Sequence, residues 1–182
     1  DYLKKASAKG VKFINVSPLK SDLEIARNTE WVSLKPNTDV ALILSLCYEI
    51  SKTKATKRGF IDKYTVGFEQ FSAYLNGHTD GVVKNANWAS RITGISKEAI
   101  FDLVRKIKNS KRTMISVSWS LTRQSHGEQP YWAAIALACI IGDLGKPGGG
   151  IGFGYSAMNS IGNHYKKIPA VSLPQGKNNV KK

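Results

Sequence analysis

Short alternations of hydrophobic and polar residues open the chain, and a longer apolar run follows them. Alternation is typical of β-strands, whereas a nearly continuous apolar run of this length suits a buried helix. Pro18 ends the first strand because it has no amide donor, and Thr38 or Asp39 can cap the helix. The predicted elements are a strand at residues 12–17, a helical turn at 23–27, a strand at 31–34 and a helix at 40–50.

A helical section follows a polar, lysine-rich connection at residues 51–58. Apolar residues then recur at the spacing of amphipathic helices, and Ser96 can cap the last of them. The predicted helices cover residues 59–64, 68–75, 87–92 and 96–107. We expect this section, about residues 58–110, to be an insertion between strands of one sheet.

Residues 114–150 place a strand, a polar loop, an apolar helix and a glycine loop in succession. The alternating residues 114–117 predict a strand, and the polar residues 118–129 follow at its carboxyl end, where α/β proteins bind ligands. Every residue of 131–141 is apolar, which predicts a helix buried on all sides and too short to span a membrane.

Glycines and prolines follow this helix. Gly142, Gly145 and Pro147 end it, and the glycines at 148–150 allow positive φ angles or close approach of a ligand. Lys146 precedes proline where a P-loop has serine or threonine, which excludes that motif. A second motif, the dinucleotide pattern at Gly152, Gly154 and Ala157, is weak because no predicted strand leads into it.

These elements predict an α/β fold, Rossmann-like, with a mostly parallel sheet and a helical insertion. We expect residues 1–155 to form a partial cofactor-binding domain and residues 156–182, with their glycines and prolines, to be irregular. The chain opens without methionine and stops without a natural close. We therefore expect an internal fragment of a larger multidomain protein.

Composition is that of a soluble globular protein, with 42% hydrophobic and 22% charged residues. The net charge of +14 raises the question of a polyanionic partner. Lysines spread along the chain favour a solvated basic surface over nucleic-acid binding. Cys47 and Cys139 lie in apolar runs without a CxxC neighbour, so we expect no iron–sulfur or zinc ligand set. The sequence contains no secretory or membrane-spanning run, and an export signal upstream stays open.

The loop at 118–129 carries the side chains best suited to a flat anionic group. Trp119 offers an apolar face and an indole donor, and Arg123 offers a planar fork of donors. The alternative is a buried tryptophan beside an Arg123 paired with Glu128. His126 and Glu128 could serve acid–base chemistry, but a turn into the following helix is favoured, with Gly127 permitting it.

Four motifs occur in the order in which a known family has them. They are SWSLTRQSHGEQ at 118–129, LGKPGGGIGFGY at 144–155, YTVGFEQF at 64–71, and INVSPLKSD at 14–22 followed by LKPNTDVAL at 34–42. In these motifs the chain resembles the molybdopterin oxidoreductases of the dimethyl-sulfoxide reductase family. Its closest likeness is to the branch that reduces biotin sulfoxide, methionine sulfoxide and trimethylamine N-oxide.

The resemblance implies a molybdenum bis(molybdopterin guanine dinucleotide) cofactor. It places Trp119, Ser120 and Arg123 against this cofactor, with Trp119 and Arg123 near the second pterin, and makes the glycine loop adjacent to it, with Tyr155 and Asn159 as further contacts. A second set of residues would lie at the guanosine: Ser17, Pro18, Asn37, Thr38 and Asp39. Asp39 would accept from the guanine N1 and N2 donors or simply cap its helix. Ser17 stands where the family usually has aspartate, so its contact would be neutral.

The resemblance also implies oxygen-atom transfer from an S-oxide or N-oxide substrate, with an electron donor protein or small reductant as partner. No catalytic residue is expected in this segment, since the metal ligand would lie outside it. We expect no nucleic-acid partner and no membrane span, and either the bacterial periplasm or the cytoplasm is compatible. Two alternatives stay open: a formate-type or nitrate-type reaction, and a stand-alone basic domain that binds nucleotides or nucleic acid.

Overall fold

The computed structural model describes residues 2–23, 29–53 and 56–153 of the chain. Seven α-helices, four short strands and two 3-10 helices lie within these ranges. The first half runs α1 (Tyr2–Ala8), β1 (Phe13–Val16), a 3-10 helix (Lys20–Leu23), β2 (Thr29–Val32), α2 (Asp39–Ser51), α3 (Arg58–Tyr64) and α4 (Phe68–Leu75). The second half runs α5 (Ala86–Thr93), α6 (Lys97–Asn109), β3 (Met114–Val117), a 3-10 helix (Trp119–Thr122), α7 (Gln129–Ile141) and β4 (Gly150–Phe153).

The strands pair in parallel, but the expectation of one sheet is wrong for the described residues. β1 pairs with β2, with Asn15 opposite Trp31, and β3 pairs with β4, with Met114 opposite Gly150. The two pairs form separate two-stranded sheets. Four-residue strands offer few backbone hydrogen bonds, so the apolar surface of the helices holds this part of the molecule together.

The helical core centres on α2, which packs against α4, α5, α6 and α7. Its fully buried side chains include Cys47 and Ile50, and they meet Ile100 of α6 and Ile140 of α7 in one cluster. The helices predicted between residues 58 and 110 are confirmed to within two residues at each end. Because α5 and α6 supply part of this core, they are integral to the packing of the molecule.

Side-chain hydrogen bonds cap the first turns of α5 and α6. The Ser96 hydroxyl accepts from the Ala99 amide at 3.2 Å, which confirms its predicted cap. The capping prediction for α2 is wrong, because neither Thr38 nor Asp39 caps the helix through its side chain. The Thr38 hydroxyl instead donates to the Lys35 carbonyl at 2.6 Å and closes the turn before the helix.

Lys84 departs from the predicted solvated lysine surface. Its side chain is only 2% exposed, and its ammonium lies 2.6 Å from Asp80 Oδ2. The rings of Tyr74 and Trp88 lie under the same ammonium, at 4.3 and 5.6 Å to their centroids. Ion pairing and cation–π attraction together offset the cost of burying this charge.

Helix α7 occupies the predicted apolar run, but the expectation that it is buried on all sides is wrong. Ala134, Leu137 and Ile140 are buried against α2 and the β3–β4 sheet. Trp132 and Ile135 lie on the opposite side and are 63% and 46% exposed. Within the described ranges, no helix is long and apolar enough to cross a bilayer.

Candidate functional site

The loop that follows β3 is shaped by serine side chains. Ser118 directly follows the strand, and its hydroxyl accepts from the Ser120 amide at 3.2 Å and lies 2.8 Å from the Ser120 hydroxyl. One turn of 3-10 helix follows, closed by the Arg123 amide donating to the Ser120 carbonyl at 3.0 Å. The polar loop therefore begins at the carboxyl end of a parallel strand, as its sequence predicted.

Three aromatic rings meet at this end of the β3–β4 sheet. Trp119 stacks on Phe153, the last residue of β4, with 5.9 Å between ring centroids. Tyr131 of α7 meets the same Phe153 edge to face at 5.0 Å, and its hydroxyl donates to the Ser118 carbonyl at 2.8 Å. A tyrosine phenol is protonated at neutral pH and can donate this bond, and burial raises the pKa of Tyr131 further above its usual range.

Trp119 and Arg123 remain accessible, which makes the alternative of a buried tryptophan beside an Arg–Glu pair wrong. Half of the Trp119 side chain is exposed. The guanidinium of Arg123 is also exposed and forms no ion pair with the described residues. Glu128 instead lies 3.7 Å from His126 Nδ1. An exposed ring and an unpaired fork of donors can receive a flat anionic group.

A tight turn joins this loop to α7. His126 has a φ of 56°, one of two positive values among described residues other than glycine. Gly127 is buried, and a Cβ there would lie 2.2 Å from the Thr122 carbonyl oxygen. Only glycine allows the two backbone segments to approach so closely. This agrees with the interpretation of residues 126–128 as a turn.

Glycines 148–150 lie at the other end of the sheet from Trp119, whereas the predicted loop that they begin reaches Trp119 at Phe153, and its adjacency to the cofactor stays a prediction. Gly150 begins β4 opposite Met114, and its amide donates to the Thr113 carbonyl at 3.0 Å. Trp119 follows the opposite end of β3, roughly 13 Å away along a four-residue strand. The prediction that no strand leads to Gly152 is also wrong, because Gly152 lies within β4.

Asp143 explains why this loop is rich in glycine. Its buried carboxylate accepts from the Thr113 amide at 3.0 Å and so ties the loop to the start of β3. A Cβ on Gly149 would lie 2.7 Å from the Asp143 Cβ. The glycine therefore serves close packing against Asp143. Gly154, Tyr155, Ala157 and Asn159 lie outside the described residues.

The second predicted set lies at the carboxyl ends of β1 and β2. Ser17 is buried, its amide donates to the Val32 carbonyl at 3.2 Å, and its hydroxyl accepts from Leu19 at 3.2 Å. The Trp31 indole, which the sequence reading did not single out, donates to the Ser17 carbonyl at 2.9 Å. Ser17 thus stabilises the strand end, and Pro18 beside it is exposed.

Asn37, Thr38 and Asp39 follow β2 and lead into α2. Strand β2 ends at Val32, two residues before the predicted end, and three residues later the Lys35 amide donates to the Thr93 carbonyl of α5 at 2.9 Å. Asn37 has a positive φ of 62° and is exposed. Asp39 is half-buried, and burial raises the pKa of its carboxyl. No cation among the described residues pairs with this carboxylate.

The two candidate sets belong to different sheets. Each follows the carboxyl end of a parallel pair, and the positive φ angles of described residues other than glycine occur beside them, at His126 and Asn37. Within the described part of the chain, no three histidine, cysteine, aspartate or glutamate side chains lie together as metal ligands. Both cysteines there are free thiols.

A family profile described as molybdopterin oxidoreductase matches residues 2–181. The chain is 46% identical over 173 residues to a biotin sulfoxide reductase of Cereibacter sphaeroides, covering 94% of this chain and 23% of that protein. It is 39% identical over 159 residues to a trimethylamine-N-oxide reductase of Haemophilus influenzae, covering 87% and 19%. The chain thus spans about a fifth of the length of these relatives.

The fold has a counterpart among solved structures. Acetylene hydratase from Pelobacter acetylenicus superposes with a TM-score of 0.66 over 80% of this chain and 19% of that protein. The two sequences are 22% identical, so this similarity concerns the fold alone. Short parallel strands within a helical framework are therefore an arrangement that this chain shares with a larger enzyme.

Proposed function

The chain belongs to the molybdopterin oxidoreductase family, and from this we propose that it is part of a larger molybdenum enzyme that reduces S-oxides or N-oxides. Its role in that enzyme is to help hold a bis(molybdopterin guanine dinucleotide) cofactor. The observation that carries the proposal is the identity of 46% and 39% to relatives named for biotin sulfoxide and trimethylamine N-oxide reduction. The relatives match nearly the whole of this chain, which favours a shared role for the segment.

The loop after β3 fits one end of such a cofactor. Trp119 presents an exposed ring for a flat pterin, Ser120 presents a hydroxyl, and Arg123 presents donors that no carboxylate of the described residues occupies. Arginine forks bind phosphate and the polar edges of planar rings through paired hydrogen bonds. When bound, the molybdenum centre supplies the oxygen-atom transfer, and an electron donor protein or a small reductant restores it.

The loops after β1 and β2 fit a guanine nucleotide in a similar way. Asp39 offers a half-buried carboxylate that pairs with no cation in the described part of the chain, and guanine has two neighbouring N–H donors that match a carboxylate. Asn37 and Thr38 line the turn before it. Ser17 and Pro18 set the course of the backbone at the strand end, where the Ser17 hydroxyl accepts a hydrogen bond from the Leu19 amide.

Arg123→Ala in the full-length protein tests the role of the loop. Losing a charge-assisted hydrogen bond costs about 1.5–3 kcal/mol, so we expect retained molybdenum and pterin to fall about ten-fold or more. Arg91→Ala is the matched control, because Arg91 is also exposed but lies on α5, away from the loop. Metal analysis and quantification of released guanine nucleotide provide the measurement.

The same preparations test the reaction. We expect the wild-type protein to reduce at least one of biotin sulfoxide, methionine sulfoxide and trimethylamine N-oxide with an artificial electron donor, and to leave formate and nitrate unchanged. Loss of this activity in Arg123→Ala, together with lost cofactor, agrees with the proposal. Unchanged cofactor content and unchanged reduction in Arg123→Ala would refute the role of the loop.

A further inference from the structure

A continuous series of contacts links the loop after β3 to the core. Trp119 lies on Phe153, Phe153 lies against Tyr131, and the Tyr131 hydroxyl returns to the Ser118 carbonyl just before Trp119. The loop, α7 and β4 are thus joined in a closed circuit. Phe153 lies in the loop that the resemblance placed beside the cofactor, but neither Tyr131 nor Phe153 was singled out as a contact.

We propose that Tyr131 and Phe153 are positioning residues that fix the Trp119 ring and its loop for stacking on a planar heteroaromatic ring, here the pterin of the cofactor. The choice of pterin rests on the proposed function above. The Phe153 ring supports Trp119 and leaves half of the tryptophan side chain accessible. A ring held this way loses little conformational freedom when a ligand stacks on it.

The two supports come from rigid parts of the molecule. Tyr131 lies in the first turn of α7, whose next turns bury Ala134 and Leu137 in the interior. Phe153 ends β4, which is paired along its length with β3. The loop itself offers little of its own burial, since Trp119, Ser120 and Arg123 are all exposed. Its orientation therefore depends on contacts supplied from outside the loop.

These contacts also explain why a tyrosine at 131 and a phenylalanine at 153 suit their positions. A phenol combines a ring that can meet Phe153 edge to face with a hydroxyl that can reach a carbonyl. Phenylalanine at 131 would keep the first contact and lose the second. Leucine at 153 would keep apolar volume and lose the flat support under Trp119. These two substitutions separate the hydrogen bond from the stacking contact.

The experiment uses the full-length protein with Tyr131→Phe, Phe153→Leu and Phe153→Tyr. Tyr48→Phe is the matched control for removing a phenol, because the Tyr48 hydroxyl forms no hydrogen bond with the described residues. Tyr48 lies in α2, and its ring packs against the core beneath the Lys52 ammonium. Hydrogen–deuterium exchange of residues 118–126 reports directly on the loss of the hydrogen bond from the Tyr131 hydroxyl to the Ser118 carbonyl. Retained pterin and the circular dichroism of the bound cofactor report on positioning.

We expect Tyr131→Phe to speed exchange in this segment about five-fold, the factor that corresponds to a lost hydrogen bond of about 1 kcal/mol. Phe153→Leu lowers retained pterin and alters the cofactor's circular dichroism, whereas Phe153→Tyr, which restores a ring, returns both to wild-type values. Tyr48→Phe leaves all three measurements unchanged.

Two results would overturn the inference. One is unchanged exchange of residues 118–126 in Tyr131→Phe, and the other is unchanged pterin content and dichroism in Phe153→Leu while Arg123→Ala loses pterin. That second pattern would leave the proposed function standing. If the wild-type protein carries no pterin at all, the proposed function fails, and the assignment of a pterin to the Trp119 ring fails with it. The exchange measurement then reports only on the hydrogen bond between Tyr131 and Ser118.

Discussion

At the scale of single residues, Asp39 shows a conflict between stability and binding. Burial raises the pKa of its carboxyl because the charged form loses hydration, and no cation among the described residues compensates. We therefore expect a neutral side chain of the same shape to be more stable at this position. Such a cost is typical of a residue retained for a ligand.

Asp39→Asn should accordingly stabilise the full-length protein at neutral pH when the cofactor has been removed, so that lost binding does not lower the midpoint. The folded-state pKa is raised, so the stability conferred by the neutral carboxyl is fully present below the unfolded pKa and is lost as the pH rises through the folded pKa. We expect a higher thermal unfolding midpoint than wild type at about pH 7 and a smaller difference at about pH 4.

The same variant should retain less guanine nucleotide, because an amide cannot accept from both guanine donors. Asp62→Asn is a suitable control, since Asp62 is an exposed residue of α3. A lower midpoint at neutral pH in Asp39→Asn would contradict the account of its burial. Undiminished nucleotide content would contradict its proposed contact.

At the scale of elements, the glycine loop between α7 and β4 has a packing role. Gly149→Ala would force a Cβ to 2.7 Å from the Asp143 side chain and 2.9 Å from its carbonyl oxygen. Overpacking of this kind costs about 1–3 kcal/mol. We expect a lower thermal midpoint in the full-length protein, with faster hydrogen exchange in β4.

Gly59→Ala is the control for this prediction. Gly59 lies in α3 with open space around its Cβ position and without a positive φ. Alanine there should leave the midpoint unchanged or raise it, because glycine in a helix is unfavourable by about 0.5–1 kcal/mol. Equal effects of the two substitutions would show that Gly149 is not packed as tightly as described.

At the scale of the whole molecule, the charge of +14 is partly used internally. Lys84 is buried with Asp80, and Lys106 bonds both Glu30 and Asp102, joining α6 to β2. The other lysines that the structure describes are exposed. We expect the full-length protein to bind a labelled DNA or RNA duplex only at low ionic strength and to release it at about 0.15 M salt.

Fluorescence anisotropy across a salt series measures this binding. Tight association that persists at about 0.15 M salt would favour a nucleic-acid-binding function over the proposed cofactor role. The control is a titration with guanosine monophosphate, which tests whether any association reflects the nucleotide site.

The sequence by itself determined the local structure and the family. Strand β3 and helix α4 lie where alternation and helical spacing predicted them, and Ser96 caps α6 as expected, because these signals act within a few residues. The four motifs identified the molybdopterin oxidoreductases, and the family profile matches residues 2–181.

Only the tertiary structure decided which residues meet. The strands form two separate sheets, and Trp132 is exposed on a helix with no polar face. Glycines 148–150 lie at the far end of β3 from Trp119. The tertiary structure also brings Tyr131 and Phe153 under the loop and buries Lys84 between rings. These outcomes depend on contacts between residues distant in the chain, which hydrophobic periodicity does not encode.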